Sequence, residues 1–445
     1  MTRDLTKGNV TGSMLRFAAP MIAGNLLQQF YNVADTLIVG RFLGPDALAA
    51  VGSSYAMMVF LTSILLGLCM GSGVLFSMLF GAKREEELRR SSALSFLFIG
   101  ILTIVLEVLS LLLLEPLLAL MQIPGDIWTM TGDYLRIIFF GMIFTFLYNY
   151  FASLLRAIGN SAIPLIFLAV SAVVNIFLDL LWVAVFPLGV QGAALATITA
   201  QGISALGIAW YTLKKVPVIC PRRQDFRPDR ALAWRIAHYS LLTCVQQSVM
   251  NFGILMVQGL VNSFGVSVMA AFAAAVKIDS FAYMPVQDFG NAFSTFIAQN
   301  HGAGQQERIR RGIRSVVIIA VIFCIIISLG VCLFGRELML LFIEPQETEI
   351  ISIGVEYLRI EGACYCGIGC LFLLYGLYRG LGKPGISVVL TVISLGTRVA
   401  LAYCLAPIPS IGLPGIWWSV PIGWFLADAV GFLYYAWLHR QKVKI

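Results

Sequence analysis

Twelve long apolar runs constrain this chain more than any other feature. A helix that crosses a bilayer needs about 20 mostly apolar residues. Runs of that length or more lie at 14–39, 48–80, 88–114, 131–155, 163–186, 193–213, 232–264, 268–299, 313–334, 351–377, 386–405 and 415–438. Among 445 residues, 59% are hydrophobic and only 12% charged, with a mean hydropathy of +0.88. An ordinary soluble fold of this size has too little interior to hide that much apolar surface. Disordered, nucleic-acid-binding and disulfide-scaffold readings fall away with it. A membrane β-barrel would show weakly alternating segments of about ten residues, whereas these runs are continuous. The chain therefore reads as an all-α integral membrane protein. The first run follows a polar arm and is too long for a signal h-region, so it reads as an uncleaved first helix. Nine scattered cysteines, mostly inside apolar runs, read as small core hydrophobes.

The basic residues orient the bundle. With a cytoplasmic N-terminus, twenty-four of the 30 Lys and Arg fall on inner loops and their flanks, from Arg3, Lys7 and Arg16 to Arg440, Lys442 and Lys444. Arg41, Arg136, Arg336 and Arg359 fall outside, and Lys277 and Arg398 within spans. The positive-inside rule then puts both termini in the cytoplasm, as an even helix count requires. The formal net charge of +7 follows from that topology and calls for no anionic or nucleic-acid partner.

The chain also repeats itself at an offset of about 221 to 223 residues. Gly81-Ala82 with Leu88-Arg89-Arg90 matches Gly302-Ala303 with Ile309-Arg310-Arg311. Asp133-Tyr-Leu-Arg-Ile137 matches Glu356-Tyr-Leu-Arg-Ile360. Arg156 with Gly159 matches Arg379 with Gly382, and Gly189 with Gly192 matches Gly412 with Gly415. The expected organisation is an N-terminal six-helix lobe over 1–215, a polar cytoplasmic linker over 216–231 and a C-terminal six-helix lobe over 232–445. Six is even, so both lobes run in one orientation, and such pairs typically build a transport pathway between them.

Ionisable side chains at membrane depth are costly and are functional hypotheses by default. The first lobe holds Asp35, Glu107 and Asp179 with no basic residue at comparable depth. Glu107 lies close enough to the outer end of its helix to reach the interface. The second lobe holds Lys277, Asp279, Asp288, Glu361, Arg398 and Asp428, a mixed set able to pair internally. Expected pairs are Lys277 with Asp428 or Asp288, and Arg398 with Asp279 or Glu361, as a structural network or as a substrate or proton relay. Acids without a basic partner require an external cation. Asn175 and Asp179 are one turn apart on one helix face, and Asp35 and Thr197 lie at compatible depth. Two carboxylates, an amide oxygen and a hydroxyl suit a hard cation, so Na⁺ or H⁺ is expected there. An interhelical hydrogen bond between Asn175 and Thr197 is the alternative. Pro285, just before Asp288, is an expected hinge.

Amides and aromatics gather at helical spacing: Gln28, Tyr31 and Asn32, then Tyr148, then Gln246, Gln247 and Asn251, with Met284 and Asp288 beyond. A cleft lined by them suits an amphipathic organic cation through ring faces and adaptable Met contacts. No P-loop, H-E-x-x-H or G-x-S-x-G motif occurs, so neither an ATP motor nor an enzyme is expected, and no cofactor. The expected partners are small cationic or aromatic molecules and the bilayer, and the expected state is a monomer.

Several of these motifs together resemble the multidrug and toxic compound extrusion (MATE) family of the multidrug/oligosaccharidyl-lipid/polysaccharide flippase superfamily. They are the duplicated plan, Gln28-Gln-Phe-Tyr-Asn-Val-Ala-Asp35 leading to Gly40-Arg41, Arg156-Ala-Ile-Gly159, Asn175 with Asp179, Gly189-Val-Gln-Gly-Ala-Ala194, and Gln299-Asn-His-Gly-Ala303. The resemblance implies twelve transmembrane helices in two duplicated six-helix lobes around a central cleft, in a bacterial cell membrane. It implies Na⁺- or H⁺-driven export of organic cations and drugs, with the cation site of the N-terminal lobe on Asp35, Asn175, Asp179 and Thr197. The chain departs from the family pattern at the seventh helix. Other members carry an acid there, and this chain has none between Arg235 and Phe264, unless Asp288 or Glu361 substitutes. The alternative function is a lipid-linked oligosaccharide or lipid flippase of the same superfamily.

Overall fold

The computed structural model describes residues 4–121 and 123–440; Arg3, Lys442 and Lys444 lie outside them. Every regular element among the described residues is helical. In hydrocarbon each backbone N–H and C=O must be satisfied within its own segment, which a helix achieves and an open strand does not.

The helices are α1 (Val10–Leu43), α2 (Pro45–Gly81), α3 (Glu85–Leu112), α4 (Leu114–Leu120), α5 (Gly125–Phe140), α6 (Met142–Ala157), α7 (Ala162–Asp179), α8 (Gly189–Lys215), α9 (Arg230–Asn262), α10 (Val266–Gly302), α11 (Gln306–Leu333), α12 (Gly335–Met339), α13 (Thr348–Ala363), α14 (Tyr365–Gly380), α15 (Pro384–Leu405) and α16 (Leu413–Arg440). Among the described residues nine helices are long and apolar enough to cross a membrane, α7 counted with the turn that continues it. Two bent pairs add one span each. The twelfth is α1, long enough at 34 residues but diluted by Pro20, Asn25, Gln28, Gln29, Asn32 and Asp35.

Two of the expected spans are bent. The run at 131–155 is α5 and α6 meeting at 43° around Gly141, and the run at 351–377 is α13 and α14 meeting at 52° around Cys364. Apolar periodicity carries no signal for such a break, because both halves remain apolar. At Gly141 an added Cβ would lie 2.4 Å from Ile198, so the bend lets α8 approach closely. By contrast α10 continues as one helix through Pro285.

The repeat is also written in the backbone. Left-handed φ occurs in pairs at equivalent turns: Gly44 (86°) with Gly265 (102°), Lys83 (57°) with Gly304 (70°), Gly159 (81°) with Gly382 (78°), and Gly189 (64°) with Gly412 (55°). Glycine accepts this conformation without steric cost. Lys83 is the one non-glycine residue among the described residues to adopt it.

The described chain forms two compact units whose bounds differ from the sequence halves. Among the described residues, unit 1 comprises residue 4 and the stretch 19–244, and unit 2 the stretches 5–18 and 245–440. The first turns of α1 therefore belong to unit 2, and those of α9 to unit 1. Both exchanges have a packing cause. In unit 1, Gly67 and Gly71 of α2 let the α9 backbone come so close that a Cβ on Gly71 would stand 2.3 Å from the Tyr239 carbonyl oxygen. There the Ser72 and Ser240 hydroxyls share a 2.7 Å hydrogen bond. In unit 2 the polar arm before α1 is held by side chains of α10 and α11. The Leu5 N–H donates to Gln299 Oε1 (3.0 Å), while Arg308 donates to the carbonyls of Leu5 (3.1 Å), Gly8 (2.7 Å) and Lys7 (2.7 Å).

In unit 1, α2 packs on α5 and α6, and α8 on α6 and α7. Its core includes Leu65, Phe76, Leu135, Phe139 and Phe146. Phe96, Phe146, Tyr150 and Phe151 stack in tilted and edge-on pairs, and the Tyr150 hydroxyl donates to the Ser92 carbonyl (2.5 Å). The polar linker is packed rather than loose. Ile219 is fully buried, its carbonyl accepts from the Ser92 hydroxyl (3.2 Å), and Asp225 pairs with Arg89 at 3.7 Å. In unit 2, α10 packs on α13 and α14, and α15 on α16, with Phe272, Tyr357 and Trp417 buried as an aromatic trio. The cysteines are all free. Only Cys69 and Cys324 are fully buried and Cys404 is exposed, so most are not the core residues expected.

Candidate cation site

Four of the expected residues converge within unit 1. Asn175 and Asp179, spaced by one helical turn, share the inner face of α7 and are 1% and 0% exposed. Thr197 on α8 is buried beside them, and its hydroxyl accepts from Asn175 Nδ2 at 3.5 Å while donating to the Ala193 carbonyl (3.1 Å). Asp35, half-buried on α1, stands next to Asp179, close enough for each carboxyl to act on the other.

What these groups lack matters more than what they have. Asn175 Oδ1, Asp35 Oδ1 and both carboxyl oxygens of Asp179 are shielded from solvent without a geometrically sound hydrogen bond. Buried acceptors are normally satisfied, and each exception requires an explanation. Directly after Asp179 the chain leaves α-geometry for a π-helical turn at Leu180–Val185, an irregularity often found at functional sites.

Sequence reasoning missed part of this surround. Tyr31 on α1 and Tyr134 on α5 both lie within electrostatic reach of Asp35 and Asp179, and Gln201 on α8 sits beside Tyr31. Gln201 Oε1 accepts from the Thr145 hydroxyl at 3.1 Å. Tyr31 was legible only as a cleft residue. Tyr134 lies in the repeated Asp-Tyr-Leu-Arg-Ile motif, and Gln201 lies one turn after Thr197, which were the available signals.

The two carboxylates, the amide and the hydroxyl present oxygen only, which suits a hard monovalent cation or a shared proton. No group of three or more His, Cys, Asp or Glu side chains able to hold a metal ion occurs among the described residues.

The other expected groups are partly dispersed. Within unit 1, Gln28 is exposed and Asn32 half-buried, and the Tyr148 hydroxyl is spent on the Pro164 carbonyl (2.9 Å), tying α6 to α7. That makes Tyr148 a structural tyrosine in this state. Within unit 2, Gln246 is buried with Oε1 unpaired, and Asn251 Nδ2 donates back to the Gln247 carbonyl (3.1 Å). Met284 is half-buried and Asp288 buried on α10.

Of the six charges expected to pair within the second lobe, the five other than Asp288 fall in three places. Asp279 and Glu361 are buried together, within reach of Arg398 and surrounded by Tyr283, Tyr357 and Tyr365. Lys277 does not join them. Two positions along a helix turn a side chain about 200° away, and Lys277 is exposed with its ammonium 6.0 Å from the Phe342 ring centroid. Asp428 is buried elsewhere, near Cys370 and Tyr375.

A duplicated, all-helical bundle of membrane-spanning length is the organisation of a membrane transporter. The MatE family model matches residues 20–181 and again 242–404, which places the two copies at the offset already read from the motifs. The chain belongs to this family of multi-pass membrane transporters. It is 31% identical to "Probable multidrug resistance protein YpnP" of Bacillus subtilis, over 99% of this chain and 98% of that one. It is 24% identical to "Multidrug export protein MepA" of Staphylococcus aureus, over 99% and 96%. Among solved structures it resembles a MOP superfamily transporter from Pyrococcus furiosus Vc1 described as having a binding pocket of reverse polarity (TM-score 0.91, 23% identity, 97% and 96% covered). A multidrug resistance MATE family transporter in an outward-facing conformation matches equally well (TM-score 0.91, 23% identity, 97% and 96% covered).

Proposed function

We propose that this chain is a multidrug efflux antiporter. It exports organic cations and aromatic drugs across the bacterial cell membrane in exchange for Na⁺ or H⁺, working as a monomer with both termini in the cytoplasm. The observation that carries this reading is the unit 1 acid pair, half-buried Asp35 with buried Asp179, without a basic partner among the described residues and backed by Asn175 and Thr197. Two adjacent carboxylates in a poorly solvated site repel each other unless a cation or proton joins them. Ion entry from outside relieves that repulsion and changes how α1 packs against α7 and α8. Drug and ion drive a cycle only through their differential affinity for its two states, so the ion must favour the state that releases drug. The multidrug names of the relatives support the substrate class. Tyr31 and Asn32 on α1 are proposed substrate contacts of unit 1, and Gln246, Gln247, Asn251, Met284 and Asp288 are, separately, those of unit 2. The flippase alternative requires free basic groups for a pyrophosphate. It finds little support, since Arg398 faces two buried acids and Lys277 lies over Phe342.

The test is dye-cation export by the purified protein in proteoliposomes under separately imposed Na⁺ and pH gradients. Wild type accumulates substrate against its gradient, and Asp35→Asn and Asp179→Asn each abolish uphill movement while sparing downhill leak. Undiminished uphill export by both variants, or preference for a pyrophosphate lipid over organic cations, sinks the reading.

A further inference from the structure

Both units bury a pair of acids at the same place in the repeat, and only one pair comes with a cation built in. From residue 133 onward the halves align at an offset of about 223, set by the repeated Asp/Glu-Tyr-Leu-Arg-Ile motif and the paired glycine turns. On that register Tyr134 corresponds to Tyr357. Each is 2% exposed, and each lies within electrostatic reach of its own unit's acids: Tyr134 of Asp35 and Asp179, Tyr357 of Glu361 and Asp279. The two clusters therefore occupy equivalent positions in the duplicated fold.

The residues within them have been redistributed. Asp179 of unit 1 corresponds to Ala402, and Asp35, at the offset of about 221 that governs the first helices, corresponds to Met256. Conversely Asp279 and Glu361 correspond to Met58 and Ile138, which pack in an apolar cluster around Tyr134. Asn175, the amide beside the unit 1 acids, corresponds to Arg398. Each cluster thus keeps two carboxyl groups, and that of unit 2 exchanges the neutral amide for a guanidinium.

Arg398 reaches both acids electrostatically, yet no ion pair within 4.0 Å joins it to either one. Asp279 is 5% and Glu361 1% exposed, and one oxygen of each, Asp279 Oδ1 and Glu361 Oε1, lacks a hydrogen-bond partner, as does Arg398 Nε. The remaining titratable groups facing the pair are Tyr283 from α10, Tyr357 from α13, Tyr365 from α14 and Cys364 between the last two. None of these can carry a positive charge, so among the described residues Arg398 is the one fixed cation facing the pair.

We infer that Arg398 is a resident cation, holding in unit 2 the charge that an exchangeable Na⁺ or proton supplies to Asp35 and Asp179 in unit 1. Two carboxyl groups and one monovalent positive charge are then the inventory of both clusters. The transporter accordingly has one ion site and not two, and the residue at the Asn175 position of each repeat decides which unit responds to the ion. This inference rests on the proposed role of Asp35 and Asp179, and the experiment separates the two.

The experiment measures equilibrium binding of radiolabelled Na⁺ to the purified full-length protein, with proton release recorded on Na⁺ addition at fixed pH so that proton exchange and Na⁺ occupancy are told apart. Wild type binds one exchangeable cation and Asp35→Asn none. Arg398→Gln, which gives unit 2 an amide like that of unit 1, gains a second site, doubling the stoichiometry. Adding Asp279→Asn to Arg398→Gln removes the gain, and Arg398→Lys stays at one. A folded Arg398→Gln protein with unchanged stoichiometry overturns the inference. So does a cation retained by Asp35→Asn and lost on adding Asp279→Asn, a measurement that does not depend on Arg398→Gln folding. Wild-type binding unaffected by both Asp35→Asn and Asp279→Asn removes the unit 1 reading instead.

Discussion

Single residues decide how closely these helices approach and where charge is left uncompensated. Gly376 of α14 faces Gly290 of α10, and a Cβ there would stand 2.3 Å from the Gly290 carbonyl oxygen. Backbone cannot yield as a flexible side chain does, so Gly376→Ala should destabilise by roughly 1–3 kcal/mol, the usual cost of overpacking a filled interior. A lowered melting temperature of the purified protein with unchanged helix content checks this. At the acid pair the sign is reversed. Asp179→Asn removes a buried carboxyl that nothing neutralises, so thermal stability in the absence of Na⁺ should hold or rise while uphill export falls at least about tenfold. A variant that loses stability and export together would make Asp179 a structural residue. Asn175, Asp179 and Thr197 were legible as a group because helical spacing and depth follow directly from residue number. Tyr134 and Gln201 were not, because their places depend on how α5 and α8 cross α1 and α7.

Among the elements, α1 has one end in each unit. Its preceding arm is fastened in unit 2 by Arg308, whose guanidinium serves three backbone carbonyls and lies 5.7 Å from the Phe296 ring. Farther along, the same helix carries Asp35 in unit 1. Hydrogen bonds from a charged donor are worth about 1.5–3 kcal/mol each in favourable settings. The Leu5, Lys7 and Gly8 carbonyls have water as an alternative where exposed, so Arg308→Ala should cost roughly 2–3 kcal/mol in total. It should also raise amide hydrogen exchange over residues 5–12 before any other segment. Uniform loosening of the whole chain would argue against a local fastening. The bent pairs around Gly141 and Cys364 show the limit of periodicity as a guide, since it marks a span and says nothing of its straightness.

At the scale of the whole molecule, duplication and exchange set the design. The start of α1 belongs with unit 2 and the start of α9 with unit 1, so a cut at the linker leaves each half without a packing partner that the other supplies. Fragments 1–222 and 223–445 should therefore accumulate in membranes when co-expressed and be degraded when expressed singly, as immunoblotting of both arrangements would show. Equal accumulation of either half alone would mean that the exchanged starts contribute little. The sequence by itself determined the all-helical membrane class, the duplication and the acid pair without a basic partner. Those follow from hydropathy, register and the cost of burying charge, all of which are local in the chain. Only the tertiary structure decided that Lys277 leaves the charge network, that Tyr148 is spent on backbone, and that Arg398, expected with Asp279 or Glu361, faces both. Such outcomes depend on which faces of separate helices meet, and no spacing along one helix encodes that.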